Sequence, residues 1–307
     1  MSLILGHRGA SAYAPDNTRA AFELAIQMGA DGVETDIHVT KDGVPVIQHN
    51  YEIDRNSNGS GYVEEMTYEE LLQFDFGSWK GEEFKGEKIL TLDECLALAE
   101  KSMRLINLEL KQTMHVDSMI VEKTLELVKK HKMVDRVLLS SFDHKLMQHA
   151  QALCPEILTG ALYDESEVKQ NNIYEILKDA PQYVADLGFD FANPHVDYLC
   201  EEGIVEKFTQ KGIGVAVWTV DKPYIAQQCV ERGVKCIITN KPDVILKAVK
   251  DICVDKWFPS SQICHCCGAR HPEMRNLSIR TVRCDCGLVI NRDHRNSSRR
   301  TAADIPA

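Results

Sequence analysis

Between residue 3 and about residue 250, short apolar runs rich in β-branched residues alternate with longer stretches patterned as amphipathic helices. That alternation constrains the fold more than any other feature. Strands separated by helix-length segments cannot pair as tight hairpins; they pair in parallel, with the connecting helices packed outside the sheet. Eight such runs can be counted: LILGH (3 to 7), GVETDIHV (32 to 39, extended by VPVIQH), RLINLEL (104 to 110), VLLSSF (137 to 142), LTGALY (158 to 163), YVADLGF (183 to 189), GVAVWTV (214 to 220) and CIITN (236 to 240). TRAAFELAIQMG, DSMIVEKTLELVKKH, HKLMQHAQALC, GIVEKFTQKG, KPYIAQQCVERG and KPDVILKAVKDI fill intervals between them, most ending in Gly or a basic residue as helix C-termini prefer. Eight parallel strands predict an α/β fold closed into a (β/α)8 TIM barrel rather than an open sheet.

One interval breaks the rhythm. Residues 50 to 90 are too long and too rich in Gly and Asn for a β-α loop, so they read as an insertion after strand 2. The insertion follows His49 at a C-terminal strand end, the face where barrels of this type place their chemistry, and is positioned to cover or contact a substrate. A second break comes near residue 257. Residues 258 to 307 hold eight Arg against four Asp or Glu, a net of +4, while the whole chain carries -11. The expected organisation is a barrel over residues 1 to 255 with an insertion at about 50 to 90, a zinc-ribbon-like segment at 258 to 300 and a tail at 301 to 307.

The acidic balance argues against nucleic-acid binding by the chain as a whole, because phosphate backbones require a local excess of Lys and Arg. No stretch approaches the ~18 apolar residues of a membrane span, and MSLILGHRGA lacks the basic and apolar regions of a secretion signal, so a cytoplasmic protein is expected. Of eleven cysteines, six (Cys95, Cys154, Cys200, Cys229, Cys236, Cys253) are scattered singly, as buried thiols are. The other five crowd into residues 264 to 286, which points to metal before disulfide.

Chemistry-bearing side chains fall at the predicted strand ends. His7 and Arg8 follow strand 1, Glu34 and Asp36 lie on strand 2, His49 follows its extension, and Glu109 and Lys111 close strand 3. Residues two apart on a strand project to the same side, so Glu34 and Asp36 enter the barrel mouth together, and Glu109 on the neighbouring strand can join them. Three carboxylates in one place repel unless a cation neutralises them, and oxygen ligands suit Mg2+ or Ca2+. Two imidazoles beside that cation can serve as general base and general acid, since histidine has an unperturbed pKa near ~6.5. Arg8 and Lys111 supply positive charge for a phosphate anion or pair with the carboxylates themselves. Trp218, near the end of strand 7, can stack on a substrate glycerol or headgroup or pack in the core.

The run GHRGASAYAPDNTRAAFELAIQMGADGVETDIHVTKDGVPVIQHN closely resembles the start of glycerophosphodiester phosphodiesterases, whose pattern is His-Arg-Gly, Pro-Glu-Asn-Thr, Glu-x-Asp, then Asp-Gly and a His. The resemblance continues through the Gly-rich insertion, NLELK at 107 to 111, SSFD at 140 to 143, VWTVD at 217 to 221 and TNKPD at 239 to 243. It implies that His7 and His49 are the acid/base pair, that Glu34, Asp36 and Glu109 hold the metal, and that Arg8 and Lys111 contact the phosphate. It further implies hydrolysis of a glycerophosphodiester, such as glycerophosphocholine or a relative, to sn-glycerol 3-phosphate and an alcohol. Two positions depart from the pattern: Asp16 stands where Glu is usual, and Asn50 follows His49 where Asp is usual.

In the C-terminal segment, Cys264-x2-Cys267-Gly268 and Cys284-x-Cys286-Gly287 approximate zinc-ribbon spacing, with Cys266, His265 and His271 as spare ligands for a structural Zn2+. SSQICHCCGARHPEMRNLSIRTVRCDCGLVINRDHRNSSRR resembles the zinc ribbon of transposon-encoded RNA-guided nucleases and their transposase-accessory relatives. In those proteins the Asp matching Asp293 belongs to a nuclease carboxylate cluster, whose remaining domain has no counterpart here. Three expectations follow for the whole chain: a glycerophosphodiester hydrolase; the same barrel acting on a lysophospholipid or phosphoinositide; or a nucleic-acid-binding protein working through the ribbon. A lipid substrate calls for an exposed apolar rim on the insertion, which has only dispersed aromatics such as Phe74, Phe76 and Trp79.

Overall fold

Strands β1 (Leu3–His7), β2 (Gly32–Val39), β4 (Leu105–Leu110), β5 (Val137–Ser141), β6 (Leu158–Tyr163), β7 (Phe191–Pro194), β8 (Gly214–Val217) and β9 (Cys236–Thr239) form a closed parallel barrel in the computed structural model. Closure comes from β1, which pairs in parallel with both β2 (Leu5 with Gly32) and β9 (Leu3 with Cys236). The short β3 (Pro45–Ile47) is an antiparallel spur on β2. Helices follow or join the strands: α1 (Arg19–Gln27), α2 (Tyr68–Leu71), α3 (Leu92–Ser102), α4 (Ile120–Lys130), α5 (His144–Leu153), α6 (Glu165–Gln170), α7 (Glu175–Lys178), α8 (Ala180–Leu187), α9 (Ile204–Gln210), α10 (Pro223–Glu231) and α11 (Pro242–Cys253). The structure describes residues 2–112, 119–170 and 173–253 and the short strands 281–283 and 289–291.

Strand alternation sorts the side chains. On β2, Val33 and Ile37 pack outward in the apolar layer between sheet and helices, so Glu34 and Asp36 face the interior. On β4, Ile106, Leu108 and Leu110 join the same outer layer, which turns Leu105, Asn107 and Glu109 inward. The interior has an apolar floor of Leu5, Leu105, Leu138, Ala216, Cys236 and Ile238. The parallel register stacks polar residues above it: His7 lies opposite Glu34, Glu34 opposite Asn107, and Asp36 opposite Glu109. The register depends on close packing at Gly32, where an added Cβ would lie 1.7 Å from the carbonyl oxygen of Leu105.

Two details differ from the sequence reading. YVADLGF is not the sixth strand: its first residues complete α8, and the strand is FANP, residues Phe191–Pro194. Asp179 caps α8 by accepting from the amide of Gln182, with Pro181 in the first turn, and these local signals outweigh the β-branched and aromatic composition. VPVIQH does not extend strand 2; Thr40, Asp42 and Gly43 reverse the chain, and β3 returns antiparallel (Ile37 with Ile47).

The insertion folds on a small apolar cluster, in which Val46 of β3 joins Ile53, Val63, Leu71, Phe76 and Ile89. Its hub is Asp75, whose carboxylate accepts from the amides of Gly77, Ser78 and Gly86 and from the Ser78 hydroxyl. The chain divides into two compact units, Met1–Lys250 and Asp251–Ala307. In the second, Thr281–Arg283 pairs antiparallel with Val289–Asn291. The expected zinc ligands Cys264, Cys267, Cys284 and Cys286 lie outside the described residues, as does Asp293. Among the described residues no helix is long and apolar enough to cross a membrane.

Candidate active site

The strand ends of β1, β2 and β4, with the loop after β3, bring His7, Arg8, Glu34, His49, Glu109 and Lys111 to the wall of a single cavity of about 760 Å3. Carboxylate oxygens of Glu34, Asp36 and Glu109 lie within 4.8 Å of one another, and all three residues are buried. Lys111 reaches in from the end of β4, with Nζ 2.8 Å from Asp36 Oδ1 and 2.5 Å from Glu109 Oε1. Arg8 places Nε 3.5 Å from Asp36 Oδ2 and Nη1 3.4 Å from Asp16 Oδ2, while its amide donates to Glu34 Oε2 at 3.2 Å. Asn17 donates to Asp36 Oδ2 at 2.9 Å and accepts from the Thr35 hydroxyl at 2.7 Å.

The carboxylates respond differently to this crowding. Burial opposes the charge of Asp36, but Lys111, His49 and Arg8 outweigh it and hold its carboxyl well below the usual range. Glu34 is driven well above its ordinary value by burial and by its neighbours Asp36 and Glu109. Burial also lifts Glu109 to about 7, even against Lys111. Protein groups alone therefore leave the cluster short of positive charge.

Both histidines are held as neutral imidazoles. Burial, aided by Arg8, lowers His7 to about 3, and burial lowers His49 to about 4 with help from Lys111 and Arg8. His7 donates from Nδ1 to Oδ1 of Asn240 at 2.7 Å, while its Nε2 faces Glu34 Oε2 at 3.8 Å. His49 donates from Nδ1 to Oδ1 of Asn50 at 2.9 Å. Each ring thus spends its Nδ1 proton on a carboxamide, leaving a lone pair on Nε2. Trp218 also lines the cavity; its Nε1 donates to the Asn193 carbonyl at 2.9 Å, and its ring meets Phe142 and His195 edge to face.

Residues 7–244 match the family described as Glycerophosphoryl diester phosphodiesterase family. The chain belongs to that family. As a member it is a phosphoric diester hydrolase. A glycerophosphodiester phosphodiesterase from Caldanaerobacter subterraneus subsp. tengcongensis is 33% identical over 250 residues, 81% of this chain and 98% of the relative. A putative glycerophosphodiester phosphodiesterase from Bacillus subtilis is 33% identical across 80% of this chain and 96% of its own length. Among solved structures, a phosphodiesterase from Oleispira antarctica in complex with the product sn-glycerol-3-phosphate superposes with a TM-score of 0.73 at 29% identity, covering 81% of this chain and 97% of that one. Residues 245–299 match a second family, described as Cas12f1-like, TNB domain.

The candidate site also draws in residues that carried no expectation. Asn240 sits just past β9, and its Nδ2 donates to Asp221 Oδ2 at 2.7 Å. Asn17 holds Asp36, and the buried Asn107 lines the cavity. All are amides or outlying carboxylates inside runs already noted for their pattern (PDNT, NLELK, VWTVD, TNKPD). The strand-end rule that singled out His7 applies equally to Asn240, and that position was the available signal.

Proposed function

We propose that this family member hydrolyses glycerophosphodiesters such as glycerophosphocholine or glycerophosphoethanolamine to sn-glycerol 3-phosphate and an alcohol. His7 and His49 act as the acid/base pair, and Glu34, Asp36 and Glu109 hold a divalent cation, Mg2+ or Ca2+. The observation that carries this reading is the buried carboxylate triad, two of whose members, Glu34 and Glu109, line one cavity with His7 and His49.

The donor set fits the cation. Fully ionised, Glu34, Asp36, Glu109 and Asp16 would carry four negative charges against two on Arg8 and Lys111, and one divalent ion would supply the missing two. All-oxygen donors suit a hard ion, and the side-chain amide of Asn107, buried beside the triad without a hydrogen-bond partner among the described residues, adds oxygen to the lining. Such an ion would polarise the phosphoryl group and stabilise the charge that develops on it.

The protein's own side chains supply the proton transfers. One imidazole takes the proton of the attacking hydroxyl or water on its Nε2 lone pair as that oxygen bonds to phosphorus; the other, having taken up a solvent proton on Nε2 as the phosphate anion binds beside it, delivers that proton to the alcohol oxygen as the phosphorus–oxygen bond breaks. Arg8 and Lys111 face the phosphate with fixed positive charge, and their pairing with Asp36, Asp16 and Glu109 keeps both oriented toward the cavity. Trp218 offers a face for the glycerol or headgroup.

The insertion favours a soluble diester over a lipid. Phe76 is 3% exposed within the insertion's apolar cluster and Phe74 packs against it, so of the three rim aromatics only Trp79 stays exposed. For the C-terminal segment, the cysteine spacing supports a structural Zn2+ on Cys264, Cys267, Cys284 and Cys286, apart from the hydrolytic chemistry.

The test is release of glycerol 3-phosphate from glycerophosphocholine, with and without chelator, by the wild type and by Glu34→Ala. Activity should require the cation and collapse in the variant. Turnover that ignores chelator, or full activity in Glu34→Ala, would sink the mechanism.

A further inference from the structure

The two positions where this chain departs from its family's pattern, Asp16 and Asn50, lie in one hydrogen-bonded chain. His49 Nδ1 meets Asn50 Oδ1 at 2.9 Å; Asn50 Nδ2 donates to Asn56 Oδ1 at 3.0 Å; Asn56 Nδ2 donates to Asp16 Oδ1 at 2.7 Å. The other carboxylate oxygen, Asp16 Oδ2, accepts from Arg8 Nη1 at 3.4 Å. Asn56 belongs to the insertion and is buried, and Asp16 is nearly so, with its side chain 13% exposed.

The direction of this chain is fixed from its far end. An amide can present either its oxygen or its nitrogen, so Asn50 beside His49 does not by itself decide which ring nitrogen carries the proton; a carboxylate at that position would accept on its own. Burial raises the Asp16 carboxyl, but Arg8, donating to Oδ2, favours its charged form, and an ionised Asp16 can only accept. Asn56 must therefore turn its nitrogen to Asp16 and its oxygen to Asn50. Asn50 must turn its nitrogen to Asn56 and its oxygen to His49, and the imidazole must place its proton on Nδ1.

We propose that Asp16, acting through Asn56 and Asn50, is a positioning residue that sets the tautomer of His49 and keeps its Nε2 lone pair available for proton transfer. This rests on the reading of His49 as an acid/base group. The tautomer itself can be measured without any turnover, so the two ideas fail separately. The insertion thereby acquires a role in the hydrolytic site beyond covering it: Asn56 is the link between a barrel loop and the second histidine.

A relay of amides oriented from one end responds to mutation in an unusual way. In Asp16→Asn, Arg8 can only donate and so takes the new amide's oxygen, which turns the amide nitrogen toward Asn56. Every amide in the chain then reverses, Asn50 offers its nitrogen to His49, and the proton moves to Nε2. In the double variant Asp16→Asn/Asn50→Asp the accepting carboxylate sits at the opposite end. The reversed chain then ends on that carboxylate, next to His49, and Nδ1 regains its proton.

The experiment records long-range 1H–15N correlations of the histidine rings in the full chain with Mg2+ present, at near-neutral pH, with His49→Gln to assign the signals. The wild type should show Nδ1–H, Asp16→Asn should show Nε2–H with kcat lower by roughly 100-fold and KM changed only a few-fold, and both Asp16→Glu and the double variant should recover the Nδ1–H signature and most of kcat. An unchanged tautomer in Asp16→Asn, or no recovery in the double variant, overturns the proposal. A reversed tautomer with undiminished kcat instead overturns the acid/base reading of His49. Should Asp16→Asn fold poorly, Asn56→Ala cuts the chain and should give a mixture of both tautomers; a pure Nδ1–H signal there also overturns it.

Discussion

His7, at the end of the first barrel strand, donates from Nδ1 to Oδ1 of Asn240, 2.7 Å away and 233 residues later in the chain. Asn240 is itself oriented by Asp221, which accepts from its side-chain nitrogen at 2.7 Å and its backbone amide at 2.8 Å. The first histidine is thus positioned only once β9 has closed against β1. Replacing Asn240 with Leu should free the imidazole and lower kcat by roughly 100-fold with KM nearly unchanged, as loss of a positioned proton-transfer group does. Steady-state kinetics on glycerophosphocholine, together with circular dichroism to confirm folding, decide it; a pure KM effect would assign Asn240 to substrate binding instead.

The carboxylate triad predicts a stability change whose sign depends on the cation. Without metal, Glu34 is buried among like charges and resists ionisation, so Glu34→Gln should raise the melting point in chelator, by an amount equivalent to about 1 kcal/mol. With saturating Mg2+ or Ca2+ the order should reverse, because the wild type gains binding free energy that the variant gives up. Paired thermal melts test both halves, and a variant less stable under both conditions would remove the triad as a cation site.

Much of the site was legible because it consists of charged or titratable residues at alternating strand positions. Glu34 and Asp36 point inward for the same reason that Val33 and Ile37 point outward, and period two is visible in the string itself. The supporting amides were not legible. Asn17 and Asn56 look like ordinary turn residues, and their roles appear only when distant segments meet; Asn240 is marked only by its place just past a strand end. The misplaced sixth strand has a local cause: Tyr183, Val184 and Leu187 suit a strand by composition, while the capping by Asp179 that makes them helical is a single hydrogen bond.

That cap gives a direct prediction. Asp179→Ala should destabilise the barrel by about 1 kcal/mol, the usual cost of losing an N-cap, and should leave cation affinity unchanged because α8 does not touch the triad. Denaturant unfolding monitored by fluorescence measures the first, calorimetric titration of the cation the second. A neutral substitution would mean that packing of Val184 alone holds the helix.

The insertion should have its own acid limit. Hydrogen bonds from Ser78, Gly77 and Gly86 hold the Asp75 carboxyl well below its ordinary 3.8, so the folded pKa is depressed relative to the unfolded one. The sign follows: its stabilisation is fully present above about pH 3.8 and is lost as pH falls below that value toward the folded pKa. Hydrogen exchange at the amides of Gly77, Ser78 and Gly86, corrected for intrinsic rates, should show protection declining on acidification. Asp75→Asn should abolish that dependence, and an identical acid profile in the variant would place the transition elsewhere.

Gly32 ties the register of the sheet to the geometry of the triad. An added Cβ would lie 1.7 Å from the Leu105 carbonyl oxygen, a backbone atom that cannot swing aside, so Gly32→Ala must push β2 away from β4. The pairs displaced are Glu34 with Asn107 and Asp36 with Glu109, which hold the carboxylates together. The expected result is a loss of about 1–3 kcal/mol from overpacking and a cation affinity lower by roughly 10-fold or more, since the ligands two and four residues along the same strand move with the backbone. Gly29→Ala is the control: it has positive φ but open space around the new Cβ, so it should cost about 1 kcal/mol while leaving the affinity intact. If Gly32→Ala lowers stability yet binds the cation as the wild type does, the strands relax without moving the ligands, and the link between register and site is broken.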